Sequence, residues 1–132
     1  MCFDFTELPP IETSPLPGYP INIRKDGGNW KLQSKTEIDE DGYPKTIGAI
    51  NENGQGSLKN STKLGWEIRE DWKGQGIMTA VMRLYLEQVS PDSDGFEVKI
   101  LKSNGASQRV AQKLGFKPYK DDEDCTYFLL KS

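Results

Sequence analysis

The residues best placed to do chemistry in this chain are two glycines. Gly74 and Gly76 flank Gln75 in the run Lys73-Gly74-Gln75-Gly76-Ile77-Met78-Thr79, directly ahead of an apolar, helix-favouring segment. The first amides of a helix have no internal partner and carry the positive end of its dipole. Glycines let a ligand approach such a backbone closely, so this loop suits a phosphate or diphosphate. A tight turn alone also accounts for both glycines, and the two readings stand side by side here. Two familiar phosphate loops are excluded. A P-loop ends in Gly-Lys-Ser/Thr, which GQGIMT lacks, and the dinucleotide fingerprint needs a third glycine and an early parallel sheet.

The chain has 132 residues and no histidine. That removes Ser-His-Asp and Cys-His catalysis, and with them any imidazole ligand, so no metal site is expected. An acid or base here must be a carboxylate, a tyrosine, a lysine, a thiol or water. Cys2 and Cys125 are the two cysteines and make no disulfide framework; a reducing compartment, the cytoplasm or the nucleus, is expected. MCFDFTELPP has neither the basic nor the apolar region of a secretory leader. No stretch approaches the roughly eighteen apolar residues of a membrane span.

The net charge of −3 argues against a general nucleic-acid binder. Yet residues 98–120 carry Lys99, Lys102, Arg109, Lys113, Lys117 and Lys120 with no acid, before DDED follows. A local positive field for a small polyanion and a merely solvated helix face both fit that run.

These residues need a frame. Pro9, Pro10, Pro15, Pro17 and Pro20 leave no room for an ordinary helix, which predicts an irregular arm over 1–20, with a short strand at CFDF, and a domain over 21–132. Ile21 and Ile23 alternate with polar neighbours, as do Trp30, Leu32 and Ser34. KTIGAINE is a third strand, NENGQGSLKNS a polar loop, and TKLGWEIRE a fourth strand with Leu64, Trp66 and Ile68 on one face. Ile77, Val81 and Leu84, with Met78, Met82, Tyr85 and Val89, recur at helical spacing in an arc wide enough to lie on a sheet. SPDSDG stops this helix, and FEVKIL is a fifth strand. A second helix is expected with Asn104 as N-cap, Ala106, Val110 and Leu114 as its buried stripe, and Gly115 at its C-cap. CTYFLLKS closes the order. The fold class is mixed α/β (α+β): a mixed, mostly antiparallel sheet with two main helices.

WEIREDWKGQGIMTAVMRLYLE followed by SNGASQRVAQKLGFKPY resembles the GNAT superfamily of acetyl-CoA-dependent N-acetyltransferases. The similarity is greatest to the branch that includes ribosomal-protein N-terminal acetyltransferases. The loop signature Gln/Arg-x-x-Gly-x-Gly/Ala falls on residues 73–78. The second signature falls on Asn104, Ser107 and Leu114-Gly115-Phe116. The match spans about 20–132 and is strongest over 64–119.

The resemblance implies acetyl transfer from acetyl-CoA to a primary amine, either a small molecule or a protein N-terminus, by direct attack. It implies that the amides of Gly74, Gln75, Gly76, Ile77, Met78 and Thr79 hold the pyrophosphate, with Lys73, Arg109 or Lys113 meeting the phosphates. Ile68 and Arg69 lie on the strand expected to splay and pair with the pantetheine arm. The Ile68 amide is the expected oxyanion donor. Asn104 and Ser107 are expected on the far side of that arm, with helix capping as their plain alternative.

The chain also departs from its relatives. The tyrosine that often serves as proton donor is Ala111 here, a frequent glutamate is Lys63, and the usual Gly or Ala at position 78 is Met78. Glu67 and Tyr119 are the candidate proton-handling groups left, with a solvent-facing charge and simple packing as their alternatives. The strand and two helices that usually wall the acceptor pocket are missing, with only the proline-rich arm ahead of Ile21. A non-catalytic coenzyme A binding module is therefore the second expectation. An interaction module using the basic run is the third, weakened by the acidic remainder and the lack of interleaved aromatics. No nucleic acid or membrane partner is expected, and a homodimer is left open.

Overall fold

The computed structural model describes residues 12–55, 61–89 and 95–131. Eight strands form one sheet in the order β1-β2-β3-β4-β5-β6-β8-β7. They are β1 (Glu12–Pro15), β2 (Ile21–Asp26), β3 (Asn29–Ile38), β4 (Pro44–Gln55), β5 (Ser61–Ile68), β6 (Gly95–Leu101), β7 (Lys117–Asp121) and β8 (Cys125–Leu130). Helix α1 (Ile77–Gln88) joins β5 to β6, and α2 (Gly105–Lys113) joins β6 to β7. Among the described residues only β5 and β6 pair in parallel, which is why a helical crossover separates them while β2 and β3 turn directly through Gly27 and Gly28.

Alternation places the core. Ile21 and Ile23, Trp30 and Leu32, Ile50 and Leu64 are all buried. Above them α1 buries Ile77, Met78, Val81, Met82 and Tyr85. Its Tyr85 ring packs edge-on against Trp30 at 5.0 Å, and its hydroxyl donates to the Gly28 carbonyl at 2.8 Å. The buried ring holds the Tyr85 phenol well above the usual tyrosine range. The other phase of the central strands is polar, with Arg24, Lys31 and Lys35 exposed, as one solvated face of an antiparallel sheet allows.

The mixed, mostly antiparallel sheet with two main helices is as the sequence indicates, and three local differences have physical causes. Residues 12–15, expected to be irregular, form β1 on the edge of the sheet, where a strand can end in Pro15 because its outer side needs no donor. β7 is also an edge strand, and its Pro118 with Lys117 and Lys120 hides it from a propensity reading. β4 runs on to Gln55 by way of a register shift between Glu52 and Gln55, with Gly54 at φ 84°. The CFDF segment and most of SPDSDG lie outside the described residues. Among the described residues, no helix is long and apolar enough to cross a membrane.

Candidate cofactor-binding site

β5 and β6 pair from Ser61↔Gly95 to Leu64↔Val98 and then part, although β5 continues to Ile68 and β6 to Leu101. On its other side β5 stays paired with β4 up to Gly48↔Ile68. The Arg69 amide donates to the Ile47 carbonyl at 2.7 Å. In an antiparallel ladder the hydrogen-bonding direction alternates. Amides of Arg69 and Glu67 therefore face β4, while those of Trp66 and Ile68 face the gap from which β6 has withdrawn. One strand edge thus offers peptide donors and acceptors to a ligand.

The strand runs into a 3-10 turn at Glu70–Trp72 and then the two-glycine loop. Gly74 and Gly76 have φ of 82° and 77°, a left-handed backbone that any side chain would strain. Gly76 is the N-cap of α1 and supplies no side-chain cap; the first turn carries no acid. The first intrahelical bond is Ala80 N–H to the Gly76 carbonyl at 3.0 Å. The amides of Ile77, Met78 and Thr79 are thus left without a capping side chain at the positive end of the helix dipole. From behind, the Tyr19 hydroxyl donates to the Gln75 carbonyl at 3.0 Å and fixes the loop. The glycines make the tight turn and, by making it, keep these amides uncapped.

α2 supplies the facing wall. Asn104 Oδ1 accepts from the Ser107 amide at 3.1 Å, so the capping role expected of Asn104 is present. Past the C-cap Leu114, Gly115 turns left-handed at φ 91°, and the Phe116 amide returns to the Ala111 carbonyl at 3.0 Å. That return seats Phe116 edge-on against Trp66 at 5.9 Å and links the two walls. Between them lies a cavity of about 360 Å³.

β5 lines this cavity with Trp66, Glu67 and Ile68, the junction with Trp72, Lys73, Gly74 and Gly76, and α1 with Ile77, Met78 and Thr79; Asn104, Ala106, Ser107, Arg109, Val110 and Lys113 complete it. Twelve of the residues singled out in the sequence for catalysis or cofactor binding thus meet there: Glu67, Ile68, Lys73, Gly74, Gly76, Ile77, Met78, Thr79, Asn104, Ser107, Arg109 and Lys113.

Three do not. Arg69, expected to pair through its backbone, turns its amide to the Ile47 carbonyl, and two carboxylates occupy its guanidinium. Nη2 lies 2.9 Å from both oxygens of Glu37, while Nε and Nη2 reach Asp71 at 2.6 and 2.7 Å. The Arg69 hydrogen bonds hold both carboxyls below their usual range. Gln75 is exposed behind the loop with its carbonyl bound to Tyr19. Tyr119 sits on β7, its ring against Tyr127 at 6.3 Å.

The basic run also divides. Lys120 and Lys99 stand over the Tyr127 ring at 4.5 and 5.5 Å, and Lys102 pairs with Asp121 at 3.1 Å. Arg109 and Lys113 alone of the six line the cavity, and neither has a carboxylate partner among the described residues. Lys73 is half neutralised by Glu70 at 2.9 Å.

Sequence reasoning missed Trp72 and misplaced Ala106. Ala106 is exposed, and Val110 and Leu114 are only half buried, whereas Ala111 is fully buried. Ala106 and Val110 point their apolar surface at the cavity, and helical spacing alone does not distinguish a cavity wall from a core.

The cradle combines bare amides, two cations and a free strand edge. It fits an elongated ligand with an anionic head and an amide-bearing arm, the chemistry of coenzyme A.

A family model described as Acetyltransferase (GNAT) domain matches residues 19–117. No curated protein matches by sequence. Among solved structures, the RimL ribosomal L7/L12 α-N-protein acetyltransferase superposes with a TM-score of 0.59 at 14% identity, over 92% of this chain and 95% of that one. The ribosomal-protein-S5-alanine acetyltransferase from Vibrio fischeri gives a TM-score of 0.61 at 13% identity, over 83% of this chain and 61% of that one. A probable acetyltransferase gives 0.58 at 18% identity, over 79% and 61%. The chain thus spans about three fifths of the length of two of these relatives. With three quarters of its own length matched by the family model, the chain belongs to the GNAT acetyltransferase domain family.

Proposed function

We propose that the chain transfers an acetyl group from acetyl-CoA to a primary amine, in the manner of the ribosomal-protein N-terminal branch. The carrying observation is the pairing of an uncapped helix N-terminus with a strand edge freed at Leu64↔Val98. In this reading the amides of residues 74–79 hold the pyrophosphate, with Arg109, Lys113 and Lys73 countering the phosphate charge. The free edge at Trp66 and Ile68 pairs with the pantetheine arm, and Asn104 and Ser107 close its far side. Acetyl-CoA supplies an activated acyl thioester.

The Ile68 amide, directed at the gap, polarises the thioester carbonyl, and positioning accounts for much of the rate. The amine nitrogen forms the new C–N bond as the C–S bond breaks. Its proton passes to Glu67 through water, and the departing thiolate takes a proton from solvent. Tyr119, which does not line the cavity, is given no part. A reducing compartment and an open acceptor side complete the proposal, the latter because β2 and β3 are joined by a two-residue turn and no α-helix precedes α1 among the described residues.

A second reading, coenzyme A binding without turnover, draws on Ala111. This residue is fully buried and stands where the resemblance places a tyrosine donor. Calorimetric titration with acetyl-CoA combined with thiol release on a panel of amines tests both readings. Binding with release supports transfer, binding without release supports the second reading, and absence of binding removes both.

A further inference from the structure

The cavity is lined by β5 residues of both phases, Trp66 and Ile68 of one and Glu67 of the other, so the strand edge that borders it belongs to both faces of the sheet. On the solvated face Glu67 begins a cross-strand row. It is registered with Ala49 on β4, Ala49 with Lys31 on β3, and Lys31 with Arg24 on β2. Glu67, Lys31 and Arg24 are exposed, and Lys35 stands in the same phase as Lys31. Arg24, Lys31 and Lys35 have no carboxylate partner among the described residues; the other acids of that phase on these strands are Asp26 at the β2–β3 turn and Glu37 at the end of β3, the latter held by Arg69 and Trp72.

We infer that this face is the acceptor surface and that its occupant is a polypeptide N-terminus followed by acidic residues. The inference rests on the acetyltransferase reading and names its substrate class. The row is dipolar: a carboxylate at the mouth attracts an α-ammonium, and cations wait farther out. Adjacent strands lie about 4.8 Å apart, which puts Lys31 about 10 Å and Arg24 about 14 Å from Glu67. An extended peptide advances about 3.3 Å per residue, so with its terminal amine over Glu67 its residues 4 and 5 reach the two cations. Ala49, half buried between Glu67 and Lys31, leaves the intervening path low. A basic patch on a chain of net charge −3 also favours the approach of acidic partners to this face.

The test compares two peptides with free N-termini, identical except for Asp or Lys at positions 4 and 5. Acetylation rates are measured with the wild-type chain and with the double variant Arg24→Glu, Lys31→Glu. Acetyl-CoA titration of both proteins reports whether the cradle is formed. The wild type is expected to favour the acidic peptide roughly tenfold in kcat/KM, as two or three exposed charge pairs allow, and the variant to favour the basic one. The milder Arg24→Gln, Lys31→Gln variant is expected to show no preference. Equal rates with the wild type, a preference unmoved by the variants, or acetylation of small amines alone overturns the inference and leaves the acetyltransferase reading standing. Absence of acetyl-CoA binding overturns that reading, and this one with it.

Discussion

Arg69 grips Glu37 with one nitrogen 2.9 Å from both carboxylate oxygens, across 32 residues of sequence. The same carboxylate accepts from Trp72 Nε1 at 3.2 Å. The pair therefore ties the end of β3 to the turn that delivers the two-glycine loop, and holds Trp72 as a cavity wall. Both side chains are about a third exposed, so the pair acts by position more than by stability. Arg69→Lys, which keeps the charge and loses the fork, is expected to raise KM for acetyl-CoA several-fold with kcat little changed. A fall in kcat at constant KM contradicts this role.

The same contacts set a pH dependence. Glu37 and Asp71 titrate below their usual range in the folded chain, so folding is favoured while they are ionised. That contribution is present above the unfolded carboxylate pKa and is lost as pH falls through the lower folded values. Melting temperature is expected to decline below about pH 4, and less so in Glu37→Gln. Identical acid limbs for the two proteins contradict the assignment.

At Gly76 a Cβ meets the Tyr19 hydroxyl at 3.3 Å, whereas at Gly74 it meets nothing within 4 Å. Both positions have positive φ, so each alanine costs about 1–2 kcal/mol in backbone strain. Gly74→Ala is expected to keep more acetyl-CoA affinity than Gly76→Ala, and Gly76→Glu to abolish it by setting an anion at the helix N-terminus. Calorimetry ranks the three, and the reverse order for the alanines refutes the packing argument.

Asn104 separates two roles. Asn104→Asp keeps the oxygen that caps α2 and loses the amide donor. Asn104→Ala loses both, and is expected to cost about 1 kcal/mol of stability. Thermal melts are expected to distinguish the variants while both bind acetyl-CoA more weakly. Unchanged binding in Asn104→Asp makes the residue a cap alone.

Those roles mark what was legible in the sequence. The loop, the helix start and the Asn104 cap are local backbone chemistry, and glycine and asparagine declare it where they stand. Strict alternation declared Trp30, Leu32 and Ser34. Arg69 was illegible because its two carboxylates, one of them distant in sequence, decide where its fork points. Tyr119 was illegible because β7 is an edge strand disguised by Pro118 and lysines, and its ring is committed to Tyr127. Ala106 and Val110 look like core in any periodicity, since an apolar stripe serves a cavity wall equally well.

The central claim is that unpartnered amides at the β5–α1 junction receive a diphosphate while the edge at Ile68 receives the arm behind it. Amide chemical shifts followed by NMR during titration with coenzyme A read both directly. The account predicts saturable shifts largest at Gly74, Gly76, Ile77, Met78, Thr79 and Ile68, with 3′,5′-ADP moving the loop residues but not Ile68. Shifts that spare those amides and gather on another surface contradict it.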